Sequence, residues 1–106
     1  MGFFELFTGH NTLNDVVECR NAGGVILDVR SRGEYNSGHI PGSINVPAGD
    51  IDKLAAKYIK SADTPVCVYC LSGARSAAAA KKLEHMGYTN VKNIGALKHY
   101  RGKIER

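Results

Sequence analysis

The sequence predicts an α/β fold, a small parallel sheet with helices on both faces. Two observations carry this. Segments with helical spacing alternate along the chain with short, continuously apolar runs. An apolar run without polar alternation suits a strand buried on both faces, and helices between such strands suit parallel crossovers. A third observation bounds the size. The 106 residues amount to one domain, residues 1–106, and a chain of this length buries roughly 65% of its unfolded surface. That supports one modest core.

The elements follow in order. Thr12, with Asp15 three residues on, offers a helix N-cap. Leu13, Val16, Val17 and Arg20 continue at helical spacing until Gly23-Gly24 stops the helix. Residues 25–29 form a buried strand. Residues 31–36 allow one helical turn, and Gly38-His39-Ile40-Pro41-Gly42 is turn chemistry. Residues 43–46 form a second strand, ended by Pro47. Asp50 caps a helix carrying Ile51, Leu54, Ala55 and Tyr58 on one face. Pro65 precedes a strand over 66–69. A tight segment then leads into a helix over 76–86, with Ala79, Leu83 and Met86 inward, Lys81, Lys82 and His85 outward, and Gly87 at its end. Residues 90–94 read as a last strand, and Gly95 onward as a turn and a final short helix.

Composition excludes several classes. Hydrophobic residues make up 43% and charged residues 23%, ordinary values that rule out a collagen-like or disordered chain. No apolar run approaches the ~18 residues of a membrane span. Three cysteines are too few, and odd in number, for a disulfide scaffold. The segment Met1-Gly2-Phe3-Phe4-Glu5-Leu6-Phe7 lacks the basic and cleavage regions of a signal peptide, and Leu6 breaks the myristoylation pattern. It is expected to lay its phenylalanines on its own core, in a cytoplasmic, reducing setting and in a monomer. Residues 1–53 carry a net charge of −3 and residues 54–106 a net charge of +7, so the second half presents a positive field to small anions. No basic helix or aromatic-interleaved basic stripe is present, so nucleic acid is not an expected partner.

Chemistry concentrates at Cys70, between an apolar strand and a helix start. Four residues separate it from Arg75, and Gly73 permits the sharp turn this needs. Successive N–H groups of residues 71–76 can converge there, with the positive end of the next helix behind them. A thiolate, persulfide or oxyanion at that point is stabilised, and a thiolate is a nucleophile. A buried structural cysteine is the competing reading; Gly73 and Arg75 favour the reactive one. Cys67 and Cys70 form a C-x-x-C. Cys67 lies inside the strand, and three strand residues span ~10 Å, beyond the reach of a disulfide without bending the backbone. Zinc would need two further ligands at suitable spacing, so no metal is expected, and Cys67 and Cys19 read as core residues. His39 reads as an organiser of its turn; His10, His85 and His99 read as solvent-facing. Asp28, Arg30 and Glu34, just after the first buried strand, suit mutual pairing or capping, with Glu34 also able to pair with Arg75.

These residues resemble a known family. Asp28-Val29-Arg30, Glu34-Tyr35, Gly38-His39-Ile40-Pro41-Gly42 and Asn45-Val46-Pro47 closely resemble, at the same spacing, the N-terminal signature of rhodanese domains. Cys70-Leu71-Ser72-Gly73-Ala74-Arg75-Ser76 matches their active loop, C-x-x-G-x-R-S. Gly95-Ala96-Leu97-Lys98-His99-Tyr100 is similar to their final G-G-x-x-x-W, with Ala96 and Tyr100 as departures. The resemblance implies a three-layer fold with a parallel sheet of about five strands, and sulfurtransferase chemistry without a cofactor. In it, Cys70 takes the outer sulfur of a small anionic donor such as thiosulfate and hands it to cyanide or a thiol, which a protein could carry. Residues Leu71, Ser72, Gly73, Ala74, Arg75 and Ser76 would cradle that sulfur. Arg75 would either contact the donor or lock the loop through a carboxylate. Leu71 and Ala74 stand where some relatives place cations, which implies weak thiosulfate binding. Two other functions remain in view. Phosphatases on this fold have five residues between Cys and Arg, and the four here suit sulfur; some relatives are binding modules that have lost the cysteine, which is present here.

Overall fold

The computed structural model describes residues 12–106; the expectations for the N-terminal phenylalanines and His10 lie outside them. Helix α1 spans Thr12–Asn21, followed by strand β1 over Val25–Asp28 and helix α2 over Arg32–Ser37. Strand β2, Ile44–Asn45, leads through a 3₁₀ turn at Ala48–Asp50 into helix α3, Ile51–Tyr58. Strand β3 spans Val66–Cys70, helix α4 Ala74–His85 and strand β4 Val91–Ala96, followed by a 3₁₀ turn at Leu97–His99.

Among the described residues the sheet has four strands, not the five that the resemblance implies. Their order is β2-β1-β3-β4, and every pairing is parallel. The apolar runs of β1 and β3 occupy the two central places. Alternate side chains go to opposite faces. Ile26, Cys67 and Tyr69 pack with Val16 and Cys19 of α1. Leu27, Val66, Val68 and Cys70 pack with Ile51 and Ala55 of α3 and Ala79 and Leu83 of α4. This gives the three layers, and it explains why β3 is apolar at every position. It also separates the C-x-x-C pair, because Cys67 and Cys70 lie on opposite faces.

Four local expectations are corrected. Asp50 makes no side-chain cap; the 3₁₀ turn before α3 leads directly into it. Helix α4 starts at Ala74, two residues earlier than expected, because Gly73 is left-handed and serves as its N-cap. Met86 sits at the C-cap beyond the last full turn and is 39% exposed. The extended chain also runs through Gly95 to Ala96 rather than turning at Gly95.

The turn after α2 is held by side chains. Tyr69, fully buried, accepts the Ile40 N–H at 3.0 Å and bonds Ser43 Oγ at 3.0 Å. Tyr35 donates to Ser43 O at 2.6 Å. His39 stacks on Tyr35, with Nδ1 2.9 Å from Tyr35 O and Nε2 3.3 Å from Glu105. His39 therefore organises its turn, as its position suggests.

Gly24 sets the close approach of α1 to β3. A Cβ there would lie 2.6 Å from both Cys19 Sγ and Pro65 O. Pro65 O also accepts the Val25 N–H that starts β1, so it cannot withdraw freely. Gly24→Ala is expected to cost about 1–3 kcal/mol by overpacking, read as a lowered Tm in thermal unfolding.

Candidate active site

Strand β3 delivers Cys70 to the C-terminal edge of the sheet, where ligands bind in open parallel sheets. Cys70 ends the strand, Leu71 and Ser72 turn outward, and Gly73 takes φ +103°, a conformation that suits glycine. The turn folds the chain back over the sulfur. Gly73 N–H donates to Cys70 Sγ at 3.0 Å, and Ser76 Oγ lies 3.5 Å from the same sulfur. Helix α4 starts immediately after, so the partial positive charge of its N-terminus faces the thiol.

Burial pushes the Cys70 thiol up. The Ser76 hydroxyl and the N–H groups of Ser76, Gly73 and Ser72 outweigh it and hold the thiol below its ordinary value. Cys67 behaves oppositely: burial among apolar groups drives its thiol up. One strand thus carries two cysteines of different character, set by the face and end each occupies. Cys70 itself is fully buried, so a reagent reaches it only when its surroundings move.

The other loop residues are placed as follows. Leu71 is 47% exposed, and its carbonyl lies 3.5 Å from Lys98 N. Ser72, Ala74 and Arg75 are exposed, and Ser76 is fully buried. Arg75 forks onto Glu34, Nη1 to Oε1 at 2.7 Å and Nη2 to Oε2 at 3.0 Å. Of the two roles open to Arg75, bracing the loop through a carboxylate is the one occupied here. Glu34 also forms a capping box with Ser31 at the start of α2. The Arg75 fork first, and the Ser31 N–H second, lower the Glu34 carboxyl to about 2.

Asp28, Arg30 and Glu34 do lie near one another, but with separate tasks. Arg30 donates to Asp28 from Nε and Nη2, the shortest contact being 2.7 Å, and Nη2 also reaches Gly38 O at 2.6 Å. The pair is buried and fastens the chain after β1 to the turn at Gly38.

One site residue belongs to no sequence motif. Asn93 of β4 accepts Ser76 Oγ–H at 2.6 Å and Gly95 N–H at 3.0 Å on Oδ1, and donates from Nδ2 to Gly73 O at 3.2 Å. It gets there because β4 is bulged: Val68 pairs with Asn93, yet Tyr69 pairs with Gly95. The available signal was an Asn and a Gly inside an apolar strand, residues that weaken strands and mark bulges.

Comparison with known proteins bears on the same residues. Residues 12–100 match the family model described as the rhodanese-like domain. The thiosulfate sulfurtransferase PspE of Escherichia coli (strain K12) is 38% identical over 72 residues, 68% of this chain and 69% of that protein. The putative sulfur carrier protein YrkF of Bacillus subtilis (strain 168) is 35% identical over 81 residues, 76% of this chain and 43% of that protein. Among solved structures, a rhodanese with anions from E. coli superposes with a TM-score of 0.75 at 32% identity, covering 78% of this chain and 98% of that one. A rhodanese-related protein from Thermoplasma volcanium superposes with a TM-score of 0.68 at 29% identity, covering 90% of this chain and 94% of that one. Sequence motifs, superposition and relatives agree, and the chain belongs to the rhodanese-like domain family.

Proposed function

We propose that the protein is a sulfurtransferase that carries a sulfane sulfur on Cys70. The observation that supports this best is the donor cradle at the end of β3, where Gly73 N–H meets Cys70 Sγ at 3.0 Å with Ser76 Oγ beside it. Donors aimed at one sulfur favour a charged sulfur there, either a thiolate or the terminal atom of a persulfide.

The reaction takes two displacements. The Cys70 thiolate attacks the outer sulfur of thiosulfate; an S–S bond forms, the donor's S–S bond breaks, and sulfite leaves with the electron pair. Cyanide or an acceptor thiolate then attacks the outer sulfur of the persulfide. The new bond to the acceptor forms, and the Cys70 thiolate departs with the electrons of the old one. Neither step needs a metal. The basic second half of the chain draws anionic donors in. Its loop offers one charged side chain, Arg75, already engaged by Glu34, so thiosulfate is held weakly and a persulfide donor loads more readily. The work of such a thiol suits a reducing compartment.

Intact-protein mass spectrometry tests this. Incubation with thiosulfate, and at lower concentration with a low-molecular-weight persulfide, should add one sulfur atom, and cyanide should remove it. Failure of both donors to add sulfur would replace this reading with that of a binding module that kept its cysteine.

A further inference from the structure

The Ser76 hydroxyl has a single proton and three acceptors around it. Asn93 Oδ1 lies at 2.6 Å, Gly73 O at 3.1 Å and Cys70 Sγ at 3.5 Å. Distance decides the resting arrangement. The proton goes to Asn93, and the neutral sulfur, a weak acceptor, faces the hydroxyl oxygen. Gly73 O is the poorer rival because Ala77 N–H and Asn93 Nδ2 already donate to it.

The Asn93 amide cannot turn to relieve this. Its Nδ2 is spent on Gly73 O and its Oδ1 also accepts Gly95 N–H, so an oxygen is kept toward Ser76. The bulge in β4 fixes the amide at this spot. A charged sulfur changes the balance, because a hydrogen bond to an anion is about twice as strong as a neutral one.

We propose that Asn93 is a positioning residue that acts on Cys70 through Ser76, holding the hydroxyl proton while the sulfur is neutral and yielding it when the sulfur is charged. This rests on the reading of Cys70 as the reacting thiolate. It gives the site a movable donor besides its fixed backbone N–H groups. The movable one serves both sulfur positions, the thiolate and the slightly more distant outer atom of a persulfide, with a rotation about one bond.

The sign of the effect separates this role from a structural one. Asn93→Ala removes the competitor, so the hydroxyl is free for the sulfur and the thiolate is favoured. The midpoint of Cys70 alkylation should fall by about 0.5–1 pH unit, the equivalent of roughly one neutral hydrogen bond. A residue that merely held the loop in place would raise the midpoint when lost. If Asn93 acts through Ser76, the shift must vanish in a Ser76→Ala background.

The experiment is the pH profile of iodoacetamide labelling, located on Cys70 by peptide mass spectrometry, for wild type, Asn93→Ala, Ser76→Ala and the double variant. Circular dichroism checks folding. Asn93→Asp carries the test if Asn93→Ala does not fold: it keeps the acceptor for Gly95 N–H, holds the Ser76 proton more tightly and should raise the midpoint, less so in the Ser76→Ala background. A fall in Asn93→Ala that depends on Ser76 supports the proposal. No shift, a rise, or a fall that survives Ser76→Ala overturns it. Wild-type Cys70 that titrates as an ordinary thiol would overturn the parent reading, and this one with it; a low wild-type midpoint with an unshifted Asn93→Ala would overturn this one alone.

Discussion

Cys70→Ser is expected to lower sulfur transfer by at least about 10³-fold, the scale on which loss of a covalent nucleophile is felt, while leaving the melting temperature close to that of wild type. The substitution keeps the shape of the cradle, so the Gly73 N–H still finds an acceptor at the end of β3. What it removes is the acid. A hydroxyl stays protonated at neutral pH, and donors that suffice to charge a thiol do not charge an alcohol. Among the described residues no base stands ready to help. His39, the buried imidazole of the described residues, is committed to Tyr35 O and Glu105 on the turn after α2. Thiocyanate formation from thiosulfate and cyanide measures the effect. Residual activity above about 1% of wild type would mean that a second thiol carries sulfur. Cys67 is poorly suited to that role, because burial holds it protonated on the opposite face.

Asp28→Ala is expected to be the most damaging single change to the fold. Asp28 is fully buried and Arg30 is 5% exposed. The carboxylate accepts Arg30 N–H at 2.9 Å as well as the guanidinium. Without it, a charged guanidinium is left inside the protein with Gly38 O and the face of Tyr69 for company. Breaking a buried pair in this way costs about 3–5 kcal/mol. A domain of this size has about 5–15 kcal/mol in total, so thermal unfolding should shift down by about 10 °C or more. The double change Asp28→Ala with Arg30→Met removes the stranded charge and should recover much of that loss. A double variant no better than the single one would show that the cost lies elsewhere, for instance in the hydrogen bonds that Val46 N–H and Asn45 Nδ2 donate to Asp28 O.

Much of this architecture is legible in the amino-acid order, for reasons that can be stated. The runs at 25–29 and 66–69 had to be buried strands, because apart from Asp28 they carry no charged side chain and no polar alternation to show to water. The residues alone name four strands, and four are found among the described residues; the fifth came with the family. Cys70, Gly73 and Arg75 stood out because a turn, a thiol and a helix start coincide within six positions. Helix α4 began earlier than its spacing suggested because the left-handed Gly73 takes the cap position itself. Asn93 was illegible for a different reason. Its partners Gly73 and Ser76 lie 20 and 17 residues away in sequence, and only the one-residue slip in β4 brings them together. A bulge is a property of two strands, and one strand's sequence does not specify it.

The Arg75–Glu34 fork has a consequence for how a buried thiol can be reached at all. Glu34 is both the third residue of α2 and the receptor of Arg75. A displacement of the start of α4 that carries Arg75 away leaves Glu34 to its capping box with Ser31 and to the N-terminus of α2, where a carboxylate is still favoured. The start of α4 can therefore open without fraying α2. Both side chains of the fork are partly exposed, and such pairs are worth only about 0–1 kcal/mol. The fork is thus a latch that ordinary thermal motion can release and that the bidentate geometry resets. Access to the sulfur then turns on local motion of its surroundings rather than on a permanent opening.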